Sequence, residues 1–209
     1  MRRTMVMGLL VALFLMIAGP AAQAAEGDVA GKVLRLKNDA VALQGAVPRP
    51  LKVGSEVLVS DVISTGDGAR LEFSLRDGSV VTLGERATFA LSDFEDTPSK
   101  ESIALRLLSG AFKAASGSIA ARNPDAMTVA TSTATIGIRG TTVWGGTLDT
   151  TFEVALLDGT AVTVTTRAGT VELNSVGQGT SVPSADQPPA APVTWAQTKV
   201  TRALSTVDF

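Results

Sequence analysis

The chain has 209 residues with 18 basic and 20 acidic side chains, and it contains no cysteine, histidine or tyrosine. A mildly acidic chain with scattered Lys and Arg lacks the basic surface that nucleic-acid binding requires. Without histidine or cysteine it cannot build a Ser-His-Asp or Cys-His nucleophile, a disulfide or a zinc site of the usual kind. A catalytic mechanism that uses two paired carboxylates remains possible. We nevertheless expect that the protein is not an enzyme and has no cofactor.

The first 24 residues have the pattern of a secretory signal peptide. Arg2 and Arg3 precede an apolar run over residues 5–19, and Ala22 and Ala24 occupy the −3 and −1 positions of an A-x-A cleavage site. The alternative, an uncleaved membrane anchor, needs about 20 apolar residues, and this run is shorter. We therefore predict cleavage, export to the periplasm, and a mature chain that does not span the membrane. Two of the 18 basic residues and no acidic ones are removed, so the mature formal charge is 16 − 20 = −4.

From residue 29 onwards, apolar and polar residues alternate over many short runs. This period of two, in runs rich in Val, Thr, Ile and Leu, is typical of half-buried strands. We predict strands over residues 29–37, 69–76, 79–84, 87–91, 103–107, 127–130, 141–147, 152–157, 160–165 and 170–173.

Turn residues separate these runs at intervals of about 8–12 residues. Asp-Gly between two alternating runs is a strong hairpin signal, because glycine accepts the positive φ that such turns need. Structural turns are predicted at seven glycines: Gly66, Gly68, Gly78, Gly110, Gly137, Gly140 and Gly159. Residues 75–83 and 156–164 also resemble each other as hairpins. The fold class is all-β, a hairpin-rich sandwich or a short β-solenoid-like domain.

The tightest acidic group is Asp93, Glu95 and Asp96, which we place in a polar loop after a strand. Solvated loop carboxylates explain it, with a calcium site as the alternative. The segment lacks the fixed spacing and central glycine of an EF-hand. We therefore expect no metal site.

Composition sets the expected domain boundaries. The β domain covers residues 25–182, a proline-rich linker covers residues 183–193, and a short tail covers residues 194–209. The tail can form one short helix with Ala196, Val200, Ala203 and Leu204 on one face. It either docks on the β domain or binds a partner.

Several segments, taken in order and spacing, resemble the FecR protein family over about residues 29–182. The matching segments are GSEVL (54–58), DVISTGDGARL (61–71), LRDGS (75–79), LLSG (107–110) and ATSTATIGIRGT (130–141). The resemblance implies a periplasmic β domain that serves signalling or scaffolding by contacting other envelope proteins. The family's sensors have a cytoplasmic anti-sigma region and a small C-terminal domain. We expect neither here, so iron signalling is not transferred to this chain.

Within the last of these segments, Gly137 and Gly140 permit a bulge or a close backbone approach. Arg139 offers a planar fork of donors, which either pins a neighbouring strand or binds a partner. Arg139, Thr141 and Trp144 are the candidate partner-binding residues, since Arg and Trp are enriched at interface hot spots. Trp144 can instead pack in the core.

Two classes of function fit these features. The first is a protein-interaction, signalling or scaffold module that contacts an envelope protein such as a membrane receptor or outer-membrane protein. The alternative is a module that binds envelope polysaccharide or peptidoglycan. Sugar sites use exposed aromatic rings, and two Trp and seven Phe are few, so the protein partner is favoured.

Overall fold

The computed structural model describes residues 27–209, so the predicted signal peptide lies outside the described residues. The strands are β1 (Val29–Lys37), β2 (Ala40–Gln44), β3 (Val47–Pro50), β4 (Glu56–Leu58), β5 (Val62–Thr65), β6 (Arg70–Leu75), β7 (Val80–Leu83), β8 (Thr88–Thr97), β9 (Lys100–Ser109), β10 (Phe112–Ala115), β11 (Met127–Ala130), β12 (Thr135–Thr147), β13 (Phe152–Thr166), β14 (Gly169–Leu173), β15 (Gln178–Val182) and β16 (Val193–Thr194). The helices are α1 (Ser118–Arg122) and α2 (Gln197–Ser205).

The all-β prediction is confirmed. The strands form one curled sheet in the order β3-β2-β5-β8-β9-β11-β12-β10-β7-β6-β1-β4. A branch of β13, β14, β15 and β16 extends from the other edge of β12. Among the described pairs all are antiparallel except β9 with β11.

Two sequence predictions are wrong because strands run further than expected. Residues 152–157 and 160–165 were predicted as two strands joined by an Asp-Gly turn, but β13 continues through Gly159 without a hairpin. Its register against β12 shifts by one residue between Thr142 and Val143, so the glycine lies next to a bulge rather than in a turn. The repeated segments therefore form one hairpin and one continuous strand.

The acidic group is likewise in a strand and not in a loop. Asp93, Glu95 and Asp96 lie in β8, which pairs with β9 up to Thr97 and Lys100. Asp93 approaches Lys100 (3.2 Å) and Asp96 approaches Arg122 (2.7 Å). Within residues 27–209 no group of three or more acidic side chains is arranged to hold a metal ion.

Alternate side chains of the strands pack on the inner face of the curled sheet. Phe89 lies at the centre, with ring centroids 6.4 Å from Phe73 and 5.9 Å from Phe112. A second, smaller apolar cluster lies around Trp144 and includes Ala111, Ala155, Trp195, Ala203 and Val207. The second cluster is completed by residues of the tail.

The proline-rich segment and the tail both contact the sheet. The hydroxyl of Thr180 donates to the carbonyl of Ala190 (2.6 Å), and that of Thr166 donates to the carbonyl of Gln187 (2.9 Å). Helix α2 packs against β12. Of the two alternatives for the tail, the structure has the docked one. In the described part of the chain no helix is long and apolar enough to cross a membrane.

Candidate protein-interaction site

Residues 138–141 of β12 lie at a gap in the sheet. On one edge, β12 pairs with β11 over residues 135–137 and with β10 over residues 142–145. Between them, Ser116 exchanges bonds with Thr141: its amide donates to the Thr141 carbonyl and its hydroxyl accepts from the Thr141 amide, both at 3.0 Å. Helix α1 fills the rest of the gap.

The turn at Gly78 holds α1 in this gap. The Asp77 carboxylate accepts from the hydroxyl of Ser79 (2.8 Å) and from the amide of Ile119 (3.4 Å). The Ser79 hydroxyl in turn accepts from the amide of Gly117 (2.9 Å). A polar side chain at the first turn satisfies helix amides that have no partner within the helix. Sequence reasoning missed α1 because five residues carry no readable helical period.

Glycines shape the backbone beside Arg139, but Gly137 and Gly140 lie within strand β12 and not in turns as predicted. Gly140 has φ +63° and Gly159, near it on β13, has φ +95°. A Cβ on Gly159 would lie 2.3 Å from the carbonyl oxygen of Gly140, so the two strands approach too closely for any other residue. A Cβ on Gly137 would meet the hydroxyl of Thr163 at 2.5 Å.

The remaining predicted turn glycines lie between strands. Gly66 and Gly68 precede β6, Gly78 connects β6 to β7, and Gly110 separates β9 from β10. Of these, Gly68, Gly78 and Gly110 have positive φ.

Arg139 lies at the surface of the gap with its side chain 37% exposed. Its Nη2 donates to Oδ1 of Asp125 at 2.8 Å, and its Nε is buried with no hydrogen-bond partner among the described residues. The guanidinium borders a cleft of about 310 Å³ with Ala120, Ala121, Pro124, Gly140, Thr160 and Ala161. The exposed part of this planar fork can therefore donate to a further acceptor group from outside.

The other two candidate residues are not at the surface. Thr141 is 5% exposed and its hydroxyl has no partner among the described residues. Trp144 has no exposed surface, and its Nε1 donates to the hydroxyl of Thr206 in the tail (3.0 Å). Its ring packs against Trp195 at 6.0 Å between centroids. Trp144 is therefore a packed residue in this state and not an exposed anchor.

Several surface charges away from the cleft are paired, among them Asp93 with Lys100 and Arg122 with Glu101. A hydrogen bond from the Ser102 hydroxyl, with a further contribution from Lys100, lowers the pKa of Asp93 below its ordinary value. The bond to Glu101 is the main cause that raises the pKa of Arg122. These groups stabilise the long β8–β9 hairpin and its contact with α1, and they offer no acid or base near the Arg139 cleft.

Comparison with known proteins places the domain. No curated protein matches the chain. Two crystal structures of a candidate anti-sigma factor from Parabacteroides distasonis have TM-scores of 0.54 and 0.53 at 17% and 18% identity, and both likenesses cover 67% of this chain. The chain spans 62% of the length of those proteins. At this identity the likeness shows a shared fold.

The family comparison confirms the resemblance seen in the sequence. The sequence model of the family described as FecR protein matches residues 61–173 of this chain. These residues include Asp77, Arg139 and Trp144. Because this match covers more than half of the chain, the chain belongs to the FecR family.

Proposed function

We propose that this chain is a non-catalytic interaction module of the bacterial envelope, which acts in signalling by contacting an envelope protein through the cleft beside Arg139. Membership of the FecR family supports a signalling or regulatory role. The solved structures of similar fold are of a candidate anti-sigma factor, which agrees with a regulatory protein that is not an enzyme. The predicted signal peptide supports a place in the periplasm.

The exposed fork of Arg139 is the observation that carries the proposal. This residue lies in the family-matched region at a gap of the sheet, and its surroundings are small and apolar. The guanidinium makes one ion pair, with the largely exposed Asp125 (79%). An exposed pair is weak, so a partner carboxylate or carbonyl can replace Asp125 at little cost.

The burial of both tryptophans counts against a glycan-binding module. A sugar cleft needs an exposed aromatic ring with polar neighbours. Trp144 is 0% and Trp195 is 7% exposed.

Site-specific photo-crosslinking in the native envelope tests the proposal. The photoreactive residue is placed at the exposed positions Ala121 and Thr160 beside the cleft, and at Val53, on the loop between β3 and β4, as a control. We expect one discrete protein adduct from the two cleft positions and none from Val53.

Two arginine variants decide whether the fork is responsible. Arg139→Ala should abolish the adduct at Thr160. Arg167→Ala, which removes another exposed, ion-paired arginine (72%), should leave it unchanged. Three results would overturn the proposal. The probes could capture glycan instead of protein, the Val53 probe could capture the same protein equally well, or the Arg139→Ala variant could give the adduct as strongly as the unchanged protein.

A further inference from the structure

Strand β14 forms an edge of the sheet. It pairs with β13 alone, through a hairpin with a two-residue turn. In such a hairpin the residues that flank the turn, here Thr166 and Gly169, form a hydrogen-bonded pair, and bonded and non-bonded pairs then alternate along the strands. Val171 therefore bonds to β13, whereas the amides and carbonyls of Thr170 and Glu172 point away from it.

These outward backbone groups of β14 are free of partners within residues 27–209. Neither Thr170 nor Glu172 makes a backbone hydrogen bond to a segment outside the hairpin. Both side chains are exposed, and Val171 between them is half-buried. The proline-rich connector packs on a face of the hairpin, because a Cβ on Gly169, which would point out of the sheet plane, would lie 3.3 Å from the Cβ of Pro188.

The two ends of the main strand order are protected against pairing with another strand. A two-residue turn also joins β2 to β3. The same alternation therefore puts Pro48 and Pro50 at the outward positions of β3, and proline has no amide proton to donate. At β4, the carbonyl of Glu56 already accepts from Arg49 (2.7 Å). Such features prevent sheets from joining at their edges, whereas β14 contains no proline and its register has no bulge.

Two copies of β14 complement each other in one antiparallel register. With Val171 on a two-fold axis, Thr170 of each copy lies opposite Glu172 of the other, and every outward amide of these residues meets a carbonyl. Each carboxylate then faces a hydroxyl, and the large Leu173 lies opposite the small Gly169. A register that places Glu172 opposite itself brings like charges together, which is destabilising.

We propose that β14 is a dimerisation edge, at which two copies of this chain join antiparallel about Val171 and extend their sheets into one. The interface is a single strand of five residues, so the association is weak and depends on concentration. It includes no residue of the cleft beside Arg139, and it does not rest on the function proposed for that cleft. The dimer presents two such clefts to partners.

A single introduced cysteine tests the register, because the chain has no cysteine of its own. Val171 meets its own copy in a non-hydrogen-bonded pair, where the Cα atoms are about 4.5 Å apart and a disulfide can form. Mild oxidation of Val171→Cys, both purified and in the native envelope, should therefore give a covalent dimer of the chain that a reductant separates.

Thr170→Cys is the matched control for this crosslink. Position 170 is more exposed than position 171, so random collisions would crosslink it more readily. The proposed register places it opposite Glu172 of the other copy, and it should give little dimer.

Thr170→Pro tests whether the outward amide makes the pairing. Proline at this position removes a donor that faces the other copy and leaves the bonds to β13 in place, as on β3. In sedimentation velocity over a concentration series, the unchanged chain should pass from monomer to dimer. Thr170→Pro should associate at least about tenfold more weakly, with an unchanged circular dichroism spectrum.

Any of three results would overturn the proposal. The first is that Val171→Cys gives no more dimer than Thr170→Cys. The second is that folded Thr170→Pro dimerises as strongly as the unchanged chain, which would place the interface elsewhere. The third is that Val171→Cys forms its disulfide in the envelope with a different protein, in which case the edge serves another partner. If Thr170→Pro does not fold, the two cysteine variants decide.

Discussion

Arg49 and Asp61 join the two ends of the sheet. Nη2 of Arg49 on β3 donates to Oδ2 of Asp61 at 2.6 Å, and Nη1 donates to the carbonyl of Glu56 on β4 at 2.7 Å. Strands β3 and β4 are the two ends of the strand order. One side chain therefore closes the curled sheet and covers part of an edge that would otherwise be open to another strand.

Arg49→Met should destabilise the fold by about 2–3 kcal/mol. Asp61 has no exposed side-chain area, and removing one partner of a fully buried pair typically costs about 3–5 kcal/mol. The expected loss is smaller because 34% of the Arg49 side chain is exposed. Urea unfolding followed by circular dichroism measures it.

Asp67→Asn is the matched control for this ion pair. It breaks the Asp67–Arg86 pair, whose side chains are 80% and 71% exposed, and it should leave the unfolding midpoint unchanged. Equal effects of the two substitutions would contradict a closing role for Arg49.

Gly159→Ala should destabilise the protein more than Gly78→Ala. Both glycines have positive φ, +95° and +86°, so an alanine at either position is strained by about 1–2 kcal/mol. At Gly78 a Cβ meets nothing within 4 Å, whereas at Gly159 it clashes with the backbone of Gly140 and Thr141. Both substitutions share the cost of a positive φ, so the difference between their unfolding free energies measures the clash where β12 and β13 approach closely. Similar losses of stability for the two variants would contradict such a clash.

Period-two alternation was enough to predict the fold class and several strands. The predicted ranges 29–37 and 127–130 coincide with β1 and β11, and in β11 buried and partly exposed side chains alternate. The short strands β2 and β5 were missed. At Gly159 the signal was ambiguous in principle, because a turn and a bulge both use glycine.

The candidate site was only partly visible in the sequence. Arg139 and the nearby glycines Gly137 and Gly140 could be recognised from the sequence, because arginine is a common interface residue and glycines permit a close backbone approach. The neighbours that define the cleft come from α1 and from Asp125, fourteen residues away, and sequence patterns do not report such contacts. The burial of Trp144 depends on Trp195 and Thr206, so it could not be inferred from the residues around Trp144.

Asp77→Ala should loosen α1 and the gap beside Arg139. The Asp77 carboxylate holds Ser79 and the amide of Ile119, and loss of a comparable cap costs about 1–2 kcal/mol. Asp77→Asn keeps an acceptor oxygen and should cost less. Hydrogen exchange should rise at Ile119 and Asn123 and stay unchanged in the β13–β14 hairpin; a uniform rise would mean general destabilisation instead.

Trp144→Phe and Thr206→Val should be coupled. Each removes the bond between Nε1 and the Thr206 hydroxyl, which is worth about 1 kcal/mol, and Trp144→Phe also leaves unfilled volume. In a double-mutant cycle the second substitution should cost less than it does alone. Strictly additive unfolding free energies would show that the bond does not hold the tail.

Acid should weaken the β8–β9 hairpin through Asp93. Its pKa in the folded chain is lowered, first by the Ser102 hydroxyl and then by Lys100. A lowered folded pKa means that the contribution to stability is present above the ordinary value of 3.8 and is lost as the pH falls through the folded value. Ser102→Ala should bring the Asp93 pKa back towards its ordinary value and flatten the acid limb of the stability curve.

Carboxyl NMR titration measures the pKa of Asp93. The control is Ser92→Ala, at an exposed position of the same hairpin, which should leave that pKa unchanged. If Ser102→Ala leaves the Asp93 titration where it was, the hydroxyl is not what stabilises the carboxylate.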